Sequence, residues 1–108
     1  MALPEEISVS ELKRMHDADE PFVLIDVRED DELATASISF AEHIPMGTVP
    51  ERLADIPKDE DGVVMCHGGT RSGRVAAYLR HNGYTRVANL AGGIDSWARE
   101  IDPTIPTY

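Results

Sequence analysis

One cysteine in 108 residues, Cys66, sits where a thiol can do chemistry. It follows the apolar run Val63-Val64-Met65 and precedes His67-Gly68-Gly69-Thr70-Arg71-Ser72. The run reads as a buried strand and Ser72–His81 as a helix, so the thiol falls at the carboxyl end of a strand, where open parallel sheets bind ligands. The two glycines permit a tight curl in which backbone N–H groups of residues 67–71 converge on one centre as an anion nest. The helix dipole, Arg71 and Arg74 add positive potential, so the thiol pKa is expected below its free value of about 8.5. A thiolate at neutral pH is a nucleophile. The plainer reading, a small buried hydrophobe, suits an average cysteine; the Gly-Gly turn, the strand end and the arginines favour a reactive thiol. With no second cysteine, the chain can form no intrachain disulfide, redox pair or cysteine-rich zinc site.

Spacing narrows the chemistry. From Cys66 to Arg71 the loop is Cys-x4-Arg, one residue shorter than the Cys-x5-Arg loop with which cysteine phosphatases cradle a tetrahedral phosphate. The smaller ring suits one extra sulfur atom, a persulfide anion, better than phosphate or arsenate. Arg71 is expected to brace the loop and favour anionic donors, and the His67 ring to point outward. Ser72 is expected to cap or pack. Asp26 and Arg28 read as structural ion-pairing partners, Trp97 as core, and the acidic run Glu29–Glu32 as a solvated face. His16, His43 and His81 show no metal spacing, and neither metal nor cofactor is expected.

These residues need elements to hold them. Ser8 with Glu11 reads as a capping-box start to a short helix carrying Leu12 and Met15. Pro21–Val27 is a continuous apolar run closed by charge, a strand buried on both faces. Arg28–Leu33 turns into a short helix, His43-Ile44-Pro45 reads as a brief strand, and Thr48–Ile56 as a helix with Pro50 in its first turn and Pro57 ending it. Val63–Cys66 and Arg86–Leu90 are further strands, and Gly92-Gly93 leads into a helix over Ile94–Glu100. Strands alternating with helices across short links call for an α/β fold, a parallel sheet covered on both sides.

Length and composition fit one domain over residues 1–108, with no repeat and no linker. A net charge of −10 opposes binding to nucleic acid or to anionic membranes. The acidity is uneven: residues 1–61 hold 17 acidic and 5 basic side chains, residues 62–108 only 3 and 5. The cysteine lies in the half that is not acidic. Met1–Glu6 lacks a basic and an apolar signal-peptide region, and no apolar run approaches membrane-spanning length. A soluble, cytoplasmic monomer is the expectation.

Four ordered segments resemble the rhodanese-like single-domain sulfurtransferases. Leu24-Ile25-Asp26-Val27-Arg28-Glu29 is similar to the family's Asp-Val-Arg-Glu signature, and Cys66–Ser72 to its six-residue active-site loop. Asn89-Leu90-Ala91-Gly92-Gly93-Ile94-Asp95-Ser96-Trp97 resembles its Leu-x-Gly-Gly-x-x-x-Trp segment. The tail Ile101–Pro106 is similar to those of members found alone or fused behind ubiquitin-activating-like adenylyltransferases. The family carries Gly-His-Ile where this chain has Ala36-Ser37-Ile38, a departure that bears on local packing rather than chemistry. The resemblance implies a central parallel sheet of about five strands with helices on both faces. It implies a Cys66 persulfide as the intermediate, and His67, Gly68, Gly69, Thr70 and Arg71 as the substrate-binding loop. A sulfane-sulfur donor such as thiosulfate and a thiophilic acceptor, cyanide or a thiol, are the implied small-molecule partners, with a sulfur-carrier protein a further one. The competing readings are a non-catalytic binding module, whose usual mark is loss of the loop cysteine, and a cysteine phosphatase or arsenate reductase, against which loop length argues.

Overall fold

The computed structural model describes residues 3–108; the first two residues of the Met1–Glu6 stretch lie outside it. The elements run β1 (Glu6–Ile7), α1 (Val9–Asp17), β2 (Phe22–Asp26), α2 (Asp30–Thr35), β3 (Ala41–His43), a 3₁₀ segment (Met46–Asp55), β4 (Asp61–Met65), α3 (Thr70–His81), β5 (Val87–Leu90) and α4 (Gly93–Glu100). The five strands form one sheet in the order β1-β5-β4-β2-β3, with every neighbouring pair parallel. The α/β sheet expected from the sequence is the fold observed.

Strand alternation explains why both faces must be covered. Along β4, Val63 and Met65 point to one side and Val64 to the other, each fully buried. The first face collects Leu12 and Met15 of α1 and Ile94 and Trp97 of α4. The second collects Val75, Ala76 and Leu79 of α3 with Val49 and Ile56. Burying a side chain such as Leu79 contributes about 1.5–3 kcal/mol, which fastens α3 to the sheet. Continuing the alternation, Cys66 and, on β5, Val87 and Asn89 fall on the α3 face. Val64 is paired in register with Asn89, so a polar side chain stands on the strand beside the cysteine.

Four local readings change. The fifth strand, β1, is only two residues long and lies at the sheet edge, too short for a periodic signal. The brief strand expected at His43-Ile44-Pro45 ends at His43, while Ile44 is buried beyond it. The helix expected over Thr48–Ile56 is instead 3₁₀ turns over Met46–Asp55, broken at Arg52 (φ −114°, ψ 20°). Pro50 lies inside it and supplies no N–H to an α-helical ladder. At α1, Ser8 caps as expected, accepting from the Glu11 N–H at 3.1 Å. The Glu11 carboxylate does not close the box; it pairs with Arg14. Among the described residues no helix is long and apolar enough to cross a membrane.

Candidate functional site

β4 is the central strand, flanked by β2 and β5, and its carboxyl end delivers Cys66 directly into the turn before α3. The cysteine is 1% exposed. Gly69, at φ +112°, turns the chain back in a conformation that costs a residue with a Cβ about 1 kcal/mol or more, and directs its N–H to Cys66 Sγ at 3.0 Å. Ser72, buried in the first turn of α3, places Oγ 3.2 Å from the same sulfur. Burial pushes the Cys66 thiol up. Hydrogen bonding from the Ser72 hydroxyl and from the backbone N–H groups of Ser72, Gly69 and Arg71 outweighs that and leaves the thiol below its ordinary value.

The loop's outward-facing carbonyls are held from below. The first turn of α4 donates two N–H groups to it, Ile94 to the Cys66 carbonyl at 3.0 Å and Asp95 to the His67 carbonyl at 3.1 Å. These are helix N-terminal donors that have no partner within their own helix. Gly93 makes the approach possible, because a Cβ there would stand 2.4 Å from both carbonyl oxygens. The Gly-Gly-x-x-x-Trp segment therefore acts as a seat for the cysteine loop, with Trp97 buried in the core beneath it, as the sequence reading expects.

The arginines divide. Arg71 is locked in a fork with Glu32 of α2, Nη1 to Oε1 at 2.5 Å and Nη2 to Oε2 at 2.9 Å. The pairing with Arg71, aided by the Tyr108 hydroxyl, holds the Glu32 carboxyl down at about 2. Glu32 thus belongs to the loop's support, although the sequence placed it on a solvated face. The price of that bracing is that much of the Arg71 charge is already neutralised. Arg74 is exposed and lines a small pocket of about 200 Å³ with Met46, Val49, Pro50, Val75 and Tyr78; no hydrogen bond joins it to the sulfur. Thiol activation therefore rests on oriented neutral dipoles more than on the flanking cations first invoked.

Asp26 and Arg28 form the expected ion pair, with Arg28 fully buried and Nη2 2.7 Å from Asp26 Oδ2. Arg28 also donates to the Ala36 carbonyl at 2.7 Å and to the Tyr108 hydroxyl at 2.8 Å. The Tyr108 hydroxyl passes its own hydrogen to Glu32 Oε2 at 2.7 Å. A network thus runs from the buried β2 pair through the tail to the loop arginine. His67 departs from expectation. Its ring does not point outward into solvent but stacks on Tyr108, centroids 4.1 Å apart, with Nε2 buried and unpartnered. Gly68 and Thr70 are exposed at the rim, Thr70 being the first residue of α3. Ser37, at the family's usual His position, is exposed between buried Ala36 and Ile38 and lines a cavity of about 480 Å³ with His16, Phe40 and Trp97.

Asn89 completes the site and escaped the sequence reading of side-chain roles. Its Oδ1 lies 2.6 Å from Ser72 Oγ, and its Nδ2 donates to the Gly69 carbonyl at 3.1 Å. Only its even spacing from Val87 along a strand could have placed it on the cysteine's face.

The profile of the rhodanese-like domain matches residues 8–100. The chain belongs to the rhodanese-like domain family. Within it, the chain is 43% identical over 99 residues to the putative sulfurtransferase YtwF of Bacillus subtilis, covering 92% of this chain and 95% of the relative. It is 44% identical over 86 residues to a sulfurtransferase of Allochromatium vinosum, with 80% of each covered. The crystal structure of a rhodanese-like domain protein from Staphylococcus aureus superposes with a TM-score of 0.83 at 34% identity, covering 97% of this chain and 99% of that one. In this rhodanese-like domain the single cysteine occupies the loop after β4.

Proposed function

We propose that this rhodanese-like domain is a sulfurtransferase that carries sulfane sulfur on Cys66 as a persulfide. The observation that carries the reading is the donor set at one buried sulfur, the Gly69 N–H at 3.0 Å and the Ser72 hydroxyl at 3.2 Å, on the loop following the central strand. Donors of this kind stabilise a thiolate and suit an anion that shifts by one sulfur atom. In the first half-reaction the Cys66 thiolate attacks the outer sulfur of thiosulfate. A Cys66 S–S bond forms, the S–S bond of the donor breaks, and sulfite leaves with the electron pair. In the second, cyanide or a thiolate attacks the outer sulfur, and Cys66 departs as thiolate, so no net oxidant or reductant is consumed.

Residues 67–71 bind the donor in this scheme, with Arg71 in the Glu32 fork bracing the loop. The acceptor in the cell is a thiol, on a small molecule or on a sulfur-carrier protein. A single thiol without a disulfide partner fits work in a reducing cytoplasm. Mass spectrometry after incubation with thiosulfate tests the core of the scheme. Cys66 is expected to gain one sulfur, about 32 Da, as a persulfide. Cyanide should remove it as thiocyanate, and Cys66→Ser should show neither. No adduct and no thiocyanate from the wild-type protein would overturn the assignment.

A further inference from the structure

Ser72 has one hydroxyl hydrogen and two neighbours that could take it. Oγ is 2.6 Å from Asn89 Oδ1 and 3.2 Å from Cys66 Sγ. Turning the Asn89 amide does not remove the conflict. Its Nδ2 faces two acceptors, the Gly69 carbonyl at 3.1 Å and the Glu6 carboxylate at 3.2 Å, so the oxygen must face Ser72. Two oxygens 2.6 Å apart require a hydrogen between them, and only Ser72 can supply it.

With Cys66 as a thiol everything is satisfied: S–H donates to Ser72 Oγ, and Ser72 O–H donates to Asn89. Ionisation breaks this order. Either the thiolate faces a Ser72 lone pair, or the hydrogen swings to sulfur and leaves the Ser72 and Asn89 oxygens facing each other bare. Both arrangements cost free energy inside a buried site, where Ser72 is fully buried and Asn89 is 7% exposed. In the persulfide the charge sits on the outer sulfur, Sγ becomes a neutral bonded sulfur, and the hydrogen returns to Asn89.

We propose that Asn89 is a positioning residue for sulfur transfer, holding the Ser72 hydrogen off Sγ in the thiol and persulfide states and releasing it only while Sγ carries the charge. The persulfide half of this proposal rests on the sulfurtransferase reading; the thiol half does not. Asn89 thereby keeps the thiolate more basic, and a more basic thiolate is the stronger nucleophile toward sulfur. The charged and titratable groups around the site are His67 and Arg71 on the loop, Glu32 on α2, the Asp26–Arg28 pair at the end of β2, Glu6 on β1 and Tyr108 on the tail. On α4, Asp95 is engaged by Arg99. Substitution at 72 leaves all of them in place; Asn89→Leu also frees the exposed Glu6 carboxylate, a loss that is common to the wild-type and Ser72→Ala backgrounds and so drops out of their comparison.

The single cysteine lets its titration be read without interference, from ultraviolet thiolate absorbance or from alkylation rate against pH. Asn89→Leu is expected to lower the Cys66 pKa by about half a unit to one unit, and Ser72→Ala to raise it. In Ser72→Ala/Asn89→Leu the Asn89 effect should vanish. An unchanged or raised pKa in Asn89→Leu overturns the proposal, as does an undiminished downward shift in the Ser72→Ala background. Should Asn89→Leu fail to fold, the wild-type protein still decides. The NMR signals of the Asn89 side-chain amide should titrate with Cys66, and in Ser72→Ala they should not; signals indifferent to Cys66 ionisation overturn the proposal. Failure of the sulfurtransferase reading would show separately, as a missing thiosulfate adduct on a protein whose thiol still titrates as described.

Discussion

Replacing Gly93 by alanine tests whether the α4 seat, rather than the loop itself, fixes the cysteine. The new Cβ would lie 2.4 Å from the Cys66 and His67 carbonyl oxygens and 2.7 Å from the His67 carbonyl carbon, all backbone atoms that cannot rotate away. The loop must lift, which breaks the bonds from the Ile94 and Asp95 N–H groups. Each is worth about 1 kcal/mol net. Holding alanine at φ +58° adds roughly 1–2 kcal/mol. The total is about 3–4 kcal/mol, which for a domain of this size lowers Tm by roughly 12–25 °C. Gly47→Ala is the control, since nothing lies within 4 Å of a Cβ there and its φ is not positive. Thermal unfolding followed by circular dichroism reads the stability, and the Cys66 mass after thiosulfate reads the loop. A Gly93→Ala protein melting within about 3 °C of wild type, or a Gly47→Ala protein equally damaged, would refute the reasoning.

Two further outcomes follow from the ion pairs. Arg28→Met leaves Asp26 charged and buried without its partner and should cost about 3–5 kcal/mol in denaturant unfolding; adding Asp26→Asn should recover part of that loss. Glu32 has its folded pKa depressed to about 2 from an ordinary 4.5, so its contribution is complete above about pH 4.5 and is lost as the pH falls toward 2. Stability measured across that window should fall less steeply in Glu32→Gln than in wild type.

The contrast between what the chain announces and what it conceals has a physical basis. The runs at Phe22–Asp26, Val63–Met65 and Val87–Leu90 are readable because a buried parallel strand is apolar on both faces, a local property. The cysteine loop is equally local, from strand end to helix start. Its support is not. Glu32 reaches Arg71 across 39 positions, Tyr108 reaches Glu32 across 76, and Asn89 reaches Glu6 across 83. Each is one polar side chain without periodicity, and an acidic run looks the same whether it faces water or an arginine. The 3₁₀ segment misled for a different reason. Its apolar spacing suits a helix with Pro50 in the first turn, but the segment starts at Met46, which puts Pro50 beyond the first turn.

The same geometry revises how an acidic chain holds an anionic sulfur. A net charge of −10 suggests that activation must come from the arginines beside the thiol. Yet Arg71 is matched by Glu32, and Arg74 is exposed, without a hydrogen bond to the sulfur. What faces Sγ is an N–H from Gly69 and a hydroxyl from Ser72. The Gly69 N–H is fixed by the fold, and neither dipole needs a counterion, whereas an exposed arginine is screened within about 8 Å at physiological salt. They also serve both halves of a transfer reaction. A full cation at Sγ would stabilise the thiolate most and so blunt its attack on a donor. Dipoles stabilise it less, and the Ser72 hydroxyl can withdraw its share by turning to Asn89 once the charge has moved outward. The acidic half of the chain then contributes where charge is an asset, through Glu32 fixing the loop, while the groups that hydrogen-bond the sulfur are neutral.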